Sequence, residues 1–238
     1  MPCANKRDIL FSTMSKLEDV NSILAKYDDD TWQKRGQAVT QRDFQSEKLP
    51  TPKISSPKWD EIARDFRKVV VEIGCGAGHH PYEYALSHSQ SMVFAIEHTK
   101  TRYKQMDNLV KQRGSLSNLQ PIHENAISWM AHFVSAESLD HIKLMYPNPF
   151  LKPKDWNCRW HAMPFWKFLL TRLKPSGRIQ LVTNIQEYAE QAIYFNLKHW
   201  NSRLVHFEQV APNSNRTAFE KKYLERGETC FDLSFAPE

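Results

Sequence analysis

The chain has 238 residues, of which 41% are hydrophobic and 25% are charged, a composition typical of a soluble globular protein. No uncharged apolar run is long enough to span a bilayer, and charge precedes any apolar segment at the N-terminus, so we expect neither a membrane partner nor a signal peptide. The formal net charge of +5 is compatible with a nucleic-acid partner but does not require one.

The N-terminal region differs in composition from the rest of the chain. It carries scattered charges and ends in the Pro/Ser-rich stretch Leu49–Pro57, which predicts an extended linker. Apolar residues at helical spacing predict one short amphipathic helix before the linker. These residues are Leu17, Val20, Ile23, Leu24 and Tyr27. We therefore divide the chain into an arm and linker, 1–57, and one α/β domain, 58–238. The arm either packs on the domain or binds substrate.

The four cysteines are far apart in the sequence and form no C-x-x-C pair. They are Cys3, Cys75, Cys158 and Cys230. This pattern predicts neither a zinc site nor a disulfide framework and is typical of a reducing cytoplasm. We therefore expect a cytoplasmic protein without a metal.

An apolar strand and a glycine-spaced turn organise the domain. The run Val69–Val71 is typical of a strand buried on both faces of a parallel sheet. The strand closes on Glu72 and leads to alternating glycines at Gly74, Gly76 and Gly78. Such glycines let the backbone turn tightly and approach a ligand, while the next helix offers free N–H groups. The pattern favours a nucleotide-like cofactor, although spaced glycines also occur in loops that bind nothing.

Helices and strands are predicted to alternate through the domain. The predicted helices are 59–66, 79–88, 100–113, 126–134, 164–173 and 185–200. The further predicted strands are 91–97, 119–123, 141–145 and 178–183, with turns at 114–118 and 174–177. This alternation predicts a doubly wound, mostly parallel sheet. Two last strands, 203–209 and 229–235, have no long helix between them, so we expect an antiparallel closing pair.

Polar residues follow the predicted strands at their carboxyl ends, where sheets of this kind bind ligands. Glu97 lies about twenty residues beyond the glycine turn, where an acidic side chain typically hydrogen-bonds a ribose, and His98 is next to it. The alternative for Glu97 is a solvated carboxylate. Asn125 precedes Ala126 at the start of a predicted helix, where it can cap the helix, contact an adenine amino group, or do both.

The segment Tyr146–Phe150 follows the fourth strand of the domain. Two prolines flank Asn148 and fix the backbone, and the aromatic residues at both ends could stack on a flat substrate ring. The alternative is a rigid proline turn without a ligand.

These residues together resemble the bacterial tRNA (guanine-N7)-methyltransferases, which depend on S-adenosylmethionine (SAM). The resemblance covers about residues 69–235. Its motifs are Glu72-x-Gly74-x-Gly76-x-Gly78, Glu97, Ser117-Asn118-Leu119 before Asn125-Ala126, Pro147-Asn148-Pro149-Phe150-x-Lys152, Thr183-Asn184-x-x-x-Tyr188, and Thr217-x-Phe219-Glu220. The glycine spacing differs from the G-x-G-x-x-G fingerprint of dinucleotide sites. The resemblance implies a Rossmann-like SAM-dependent methyltransferase domain with a seven-stranded sheet and an antiparallel C-terminal strand.

The resemblance also implies roles for individual residues. The cofactor-binding set is Glu72, Gly74, Gly76, Gly78, Glu97, His98, Asn125, Ala126 and Asn148. The set that would contact the tRNA guanine is Lys152, Asn184, Thr217, Ala218, Phe219 and Glu220. Asn148 is also the implied catalytic residue. We expect SAM as the cofactor, tRNA as the partner, and a monomer or weak homodimer.

This sequence departs from the family at two acidic positions. The family usually has P-D-P-W and T-D, whereas this chain has Asn148 and Asn184, so two carboxylates are replaced by amides. We expect the fold and cofactor site to persist, while the rate or the substrate is open. One alternative is methylation of an exocyclic amine, because Asn148-Pro149-Phe150 partly matches an N-P-P-aromatic motif. Another is a SAM- or RNA-binding protein that has lost catalysis.

The family's basic run after the proline motif is thinner here. Phosphate contacts by basic residues nevertheless predict salt-sensitive RNA binding. The candidate residues are Lys152, Lys154, Arg159, Arg172, Lys174, Lys221 and Lys222.

Overall fold

A seven-stranded sheet forms the centre of residues 19–238, the part of the chain that the computed structural model describes. The strands are β1 (Lys68–Ile73), β2 (Ser91–Glu97), β3 (Leu119–His123), β4 (Leu139–Met145), β5 (Leu173–Thr183), β6 (Ser202–Gln209) and β7 (Phe231–Pro237). Their order is β3-β2-β1-β4-β5-β7-β6, and within it β7 runs antiparallel to both neighbours. This topology confirms the predicted Rossmann-like fold, and the strand order switches between β1 and β4.

Helices cover the sheet on both faces. They are α1 (Val20–Tyr27), α2 (Asp30–Thr40), α3 (Trp59–Asp65), α4 (His79–Ser87), α5 (Lys100–Arg113), α6 (Ala126–Phe133), α7 (Pro164–Arg172), α8 (Gln186–Lys198) and α9 (Ala218–Glu225). None of these helices is long and apolar enough to cross a membrane.

The central strand β1 is buried on both faces, as its valine run predicts. Val69 and Val71 belong to one core that also contains residues of α6, α7 and α8. Val70 belongs to a second core with Tyr82 of α4 and Met106 of α5. Because the strand is held from both sides, the turn that follows it has a fixed position at the carboxyl edge of the sheet.

The described part of the predicted arm, 19–57, packs on the rest of the structure. Ile23 of α1 is fully buried in the main core, and the Tyr27 hydroxyl donates to Glu190 of α8 at 2.9 Å. A role of the arm in binding substrate stays a prediction. Cys3 of the cysteine pattern and Leu17 of the predicted amphipathic helix lie outside the described residues.

The second helix of the arm, α2, was not predicted from the sequence. Its start is capped by Asp29, whose carboxylate accepts from the backbone N–H of Trp32 at 2.9 Å. A Cβ on Gly36 would lie 2.0 Å from Nε2 of His199, so this glycine lets α2 approach the end of α8. The contact face of α2 consists of Trp32, Gly36 and Val39, and these residues do not form a regular apolar stripe that the sequence would reveal.

The predicted turn at 174–177 is wrong, because these residues belong to β5. The pairing with β4 passes from Leu139 opposite Leu173 to His141 opposite Arg178, with an irregularity between them. The turn-forming residues thus lie within the bounds of β5, at this irregularity of its pairing with β4. The antiparallel pairing of β6 with β7 is confirmed, and the short helix α9 lies between them.

Candidate functional site

The glycine turn after β1 uses backbone conformations that glycine adopts most easily. Gly74, Gly76 and Gly78 have φ angles of 70°, 61° and 80°. A Cβ on Gly78 would lie 2.3 Å from Cγ of Met106, so α5 packs directly against the turn. A Cβ on Gly74 would meet no atom within 4 Å among the described residues. The turn is therefore packed at Gly78 and leaves space for a ligand at Gly74.

Glu97 at the end of β2 is bound to this turn. Its side chain is buried, Oε2 accepts from the backbone N–H of Gly76 at 2.9 Å, and Oε1 accepts from that of Thr99 at 2.7 Å. The exposed His98 places Nδ1 3.5 Å from Glu97 Oε1. Two residues predicted from separate motifs are thus joined, and the backbone fixes the orientation of the carboxylate.

Glu72 is also buried at the end of β1. Its Oε2 lies 2.5 Å from Nδ1 of His80 in the first turn of α4. The other oxygen has no hydrogen-bond partner among the described side chains and backbone groups. Contact between Glu72 and a cofactor stays a prediction, and such a contact would share the carboxylate with His80.

Asn125 caps α6, as one of its two predicted roles requires. Its Oδ1 accepts from the backbone N–H groups of Ile127 at 2.9 Å and Ser128 at 3.2 Å. Asn125 is exposed and Ala126 is half-buried. Since the cap uses only the oxygen, the amide nitrogen has no acceptor within the described part of the chain and could still donate to an adenine.

This donor set fits SAM. The open space at Gly74 accommodates a ligand close to the backbone, and SAM carries a cationic amino-acid end that buried carboxylates would favour. Glu72 lies beside the turn at the end of β1, Glu97 carries the acidic oxygens expected for ribose hydroxyls, and Asn125 carries an exposed amide for the adenine. These residues would hold the cofactor, whose activated methyl group would supply the chemistry.

The loop after β4 has a strained, fixed shape. Tyr146 and Phe150 have positive φ angles of 53° and 43°, which non-glycine residues adopt only when the surroundings enforce them. Within the loop, Oδ1 of Asn148 accepts from the backbone N–H of Phe150 at 3.1 Å. Asn148 is exposed, so the implied catalytic side chain is accessible while its oxygen stabilises the loop.

Arg159 holds this loop from inside the protein. Its side chain is fully buried, Nε donates to the Pro149 carbonyl at 2.8 Å, and Nη2 donates to the Phe150 carbonyl at 3.4 Å. Nη1 donates to Gln191 of α8 at 2.6 Å. The prediction that Arg159 contacts phosphate is therefore wrong, because the guanidinium has no exposed surface.

Glu220 of the Thr217–Glu220 motif is also an internal residue. Its fully buried carboxylate accepts from the Tyr146 hydroxyl at 2.7 Å, from Ser214 Oγ at 2.5 Å and from Arg216 Nη2 at 2.8 Å. Burial alone would raise its pKa, but these hydrogen bonds hold the pKa of Glu220 below its usual range. This burial argues against direct substrate contact by Glu220 and gives it the role of holding the loop at Tyr146.

A chain of polar side chains leads from the sheet to Glu220. Lys143 of β4 donates to Gln180 of β5 at 3.1 Å, and Gln180 donates to Asp232 of β7 at 2.8 Å. Arg216 donates to Asp232 at 2.6 Å and also binds Glu220. Burial lowers the pKa of Lys143 to about 8. The position of the loop after β4 is therefore coupled to a buried polar network across three strands.

The remaining members of the Thr217–Glu220 motif have different positions. Thr217 caps α9, since its Oγ1 accepts from the Glu220 backbone N–H at 2.9 Å. Ala218 is exposed, and Phe219 is 43% exposed. The guanidinium of Arg102 lies 5.7 Å from the centre of the Phe219 ring.

Arg102 connects the predicted cofactor and substrate residues. A Cβ on Gly76 would have Nη1 of Arg102 as its neighbour at 3.7 Å, and the same guanidinium contacts Phe219 of α9. The glycine turn and the exposed end of α9 therefore lie on two sides of one side chain. Lys152 is exposed, and no hydrogen bond joins it to another predicted site residue within 19–238.

Asn184 follows β5 and contacts a residue that sequence reasoning missed. Its Nδ2 donates to Glu228 Oε2 at 2.6 Å. Both side chains line a cavity of about 410 Å³. Its other lining residues are Gln186, Gln209, Thr229 and Phe231. Glu228 belongs to no motif, and only its position after a helix-ending glycine could have drawn attention to it.

Comparison with known proteins points to one enzyme class. The family model described as "Putative methyltransferase" matches residues 66–233. A tRNA (guanine-N(7)-)-methyltransferase of Nitrosomonas eutropha is 30% identical over 171 residues, covering 70% of this chain and 75% of that protein. The protein of the same name from Nitrosospira multiformis is 29% identical over 170 residues, covering 69% of this chain and 72% of that protein.

Solved structures share the fold at low identity. The 16S rRNA methyltransferase KamB has a TM-score of 0.61 and 13% identity, covering 79% of this chain and 96% of that chain. The 16S rRNA (adenine(1408)-N(1))-methyltransferase of Catenulisporales acidiphilia has a TM-score of 0.56 and 15% identity, covering 80% and 96%. At these identities the similarity concerns the fold alone.

Proposed function

Because the chain belongs to the tRNA (guanine-N7)-methyltransferase family, we propose that it transfers the methyl group of SAM to N7 of a guanine in tRNA. The observation that carries this proposal is the position of Arg102, between the glycine turn at Gly76 and the exposed Phe219. Residues implied for the cofactor and for the substrate thus meet at the carboxyl edge of the sheet, where folds of this class bind ligands.

The chemistry of this reaction makes few demands on acid or base groups. N7 of guanine has a lone pair and carries no proton, so no general base is needed. The protein contributes by positioning the base and excluding water. The methylated purine is positively charged, and a nearby carboxylate would stabilise it. Asn148 and Asn184 can accept hydrogen bonds through their carbonyl oxygens but carry no charge.

We assign the substrate side of the site to exposed residues. Phe219 and Ala218 of α9 offer an accessible ring and a small neighbour for the tRNA, and Thr217 fixes the start of that helix. Lys152 is an exposed cation after the proline loop and suits a phosphate. Asn184 lines the cavity after β5 and suits the guanine. A tRNA substrate agrees with the cytoplasmic location predicted from the cysteine pattern.

The direct test uses purified protein, labelled SAM and total tRNA from a strain that lacks 7-methylguanosine. We expect 7-methylguanosine when the product nucleosides are separated by mass spectrometry, and none in a reaction without protein. A methylated exocyclic amine would instead support the alternative suggested by Asn148-Pro149-Phe150. Binding of SAM in calorimetry without any methylated nucleoside would support a protein that has lost catalysis.

A further inference from the structure

Glu228 has a fixed backbone at the carboxyl edge of the sheet. Gly227, with φ of 73°, ends α9 and donates its N–H to the Leu224 carbonyl at 2.9 Å. The backbone N–H of Glu228 donates to the Tyr223 carbonyl at 3.0 Å. The helix end thus directs the chain so that residue 228 lies beside the end of β5.

The Glu228 carboxylate has one strong internal partner. Oε2 accepts from Asn184 Nδ2 at 2.6 Å, while Oε1 lies 3.9 Å from Nη1 of Arg226. The side chain is 35% exposed. A carboxylate has about four acceptor positions, so most of its capacity is left for a ligand, unlike that of the fully buried Glu220.

The cavity beside Glu228 suits a nucleobase. Its volume of about 410 Å³ lies within the range of roughly 300–1,000 Å³ usual for ligand sites. The lining residues include three that carry side-chain amides, Asn184, Gln186 and Gln209, and one that carries a carboxylate, Glu228. A flat, polar base finds several hydrogen-bond partners there.

Methyl transfer to guanine N7 creates a charge that this cavity could stabilise. The N7 lone pair forms the new N–CH₃ bond as the S–CH₃ bond breaks. The electron pair of the broken bond stays on the sulfur, which becomes neutral, and the positive charge passes to the purine. No proton moves in this step. A carboxylate beside the base lowers the energy of the developing cation.

We propose that Glu228, held by Asn184, supplies the carboxylate beside the target guanine that the chain lacks at position 184. This proposal rests on the proposed function. In this chain the carboxylate lies in the loop before β7 and not at the first residue after β5. The amide of Asn184 orients it by a hydrogen bond. A carboxylate at both positions would place two negative charges in contact, so the amide at 184 and the acid at 228 belong together.

The test compares Glu228→Gln with wild type in steady-state methylation of tRNA. Glutamine keeps the size of the side chain and can still accept from Asn184, so only the charge is lost. We expect kcat to fall about tenfold or more, with the Kd for SAM unchanged. The matched control is Glu225→Gln, an exposed residue in the last turn of α9 that pairs with Lys221 at 3.8 Å, and it should keep wild-type kcat.

A second variant returns the charge to position 184. In Asn184→Asp combined with Glu228→Gln, the glutamine amide can donate to the new carboxylate, and we expect most of the lost kcat to return. Wild-type kcat in Glu228→Gln, or no recovery in the double variant, would overturn the proposal. If wild type forms no 7-methylguanosine at all, the proposed function fails and this proposal fails with it. The two failures are therefore distinguishable.

Discussion

The acidic residues at the site differ in how much of their hydrogen-bonding capacity the protein already uses. Glu220 is fully buried and receives donors from Tyr146, Ser214 and Arg216. Glu97 receives two backbone N–H groups, and Glu228 receives one side-chain amide. Because a carboxylate has about four acceptor positions, Glu97 and Glu228 keep capacity for a ligand, while Glu220 serves the structure.

The Glu97→Ala variant tests the cofactor site. It removes the acceptor for Gly76 and for the ribose hydroxyls together, so we expect SAM affinity to fall at least tenfold, since one hydrogen bond to a charged group contributes roughly 1.5–3 kcal/mol. Calorimetric titration with SAM measures this change. Circular dichroism verifies that the variant is folded.

The matched control for this variant is Glu61→Ala on α3, where Glu61 is 51% exposed and pairs with Lys58. It should bind SAM as wild type does. If Glu97→Ala also binds SAM with unchanged affinity, Glu97 has no part in holding the cofactor.

At the residue scale, the sequence indicated which polar residues lie at the carboxyl ends of the strands, but it did not indicate which residues they contact. Glu97 and Asn125 could be chosen because they follow strands. The contact of Asn184 with Glu228 and that of Arg159 with Pro149 join residues far apart in the chain. No local pattern encodes such pairs, since the packing of separate elements creates them.

At the scale of elements, the arm and the proline loop are connected by stacked side chains. Trp32 of α2 stacks on Trp156 with ring centres 5.4 Å apart, and the Arg35 guanidinium lies 4.9 Å and 5.0 Å from the two rings. The Arg159 guanidinium lies 5.2 Å from the Trp156 ring. The arm therefore supports the same arginine that holds Pro149 and Phe150.

The Arg159→Lys variant tests this support. Lysine keeps the charge but lacks the planar group that reaches Pro149, Phe150 and Gln191 at once. We expect the loop to loosen, so that kcat for tRNA methylation falls about tenfold or more while SAM affinity changes little. Steady-state kinetics and SAM titration measure the two effects separately.

The control for Arg159→Lys is Arg203→Lys on β6, because Arg203 also donates to a backbone carbonyl, that of Pro237, but is exposed. Equal loss of kcat in both variants would show a general effect of the substitution. Unchanged kcat in Arg159→Lys would show that the loop does not depend on the guanidinium.

The elements themselves were predictable where their hydrophobic pattern was strong. The strands before Glu72 and Glu97 could be placed because buried parallel strands are continuously apolar. The sequence does not predict α2 because its contacts come from Trp32, Gly36 and Val39, which form no regular apolar stripe. The sequence predicts a turn at 174–177 because Pro175, Ser176 and Gly177 favour turns, whereas these residues lie within β5 at an irregularity of its pairing with β4.

At the scale of the whole molecule, the fold brings the carboxyl ends of β1, β2, β4 and β5 to one edge. The glycine turn follows β1, Glu97 ends β2, the proline loop follows β4 and Asn184 follows β5. The antiparallel β7 begins at this edge, where Phe231 pairs with Thr183 at the end of β5, so the loop before β7, with Glu228, lies at the same edge. The glycine turn and the cavity beside Glu228 thus lie at the same edge of the sheet.

The measurement that tests the central claim most directly uses two transcripts of one tRNA that wild type methylates, one made with guanosine and one with 7-deazaguanosine. The second transcript has carbon in place of the N7 atom and keeps the exocyclic amines. We predict that label from SAM enters the guanosine transcript and stays at background in the 7-deaza transcript. An unrelated tRNA methyltransferase that targets adenine serves as the control, because it should methylate both transcripts if the 7-deaza transcript is intact. Equal incorporation into both transcripts would contradict methylation at guanine N7.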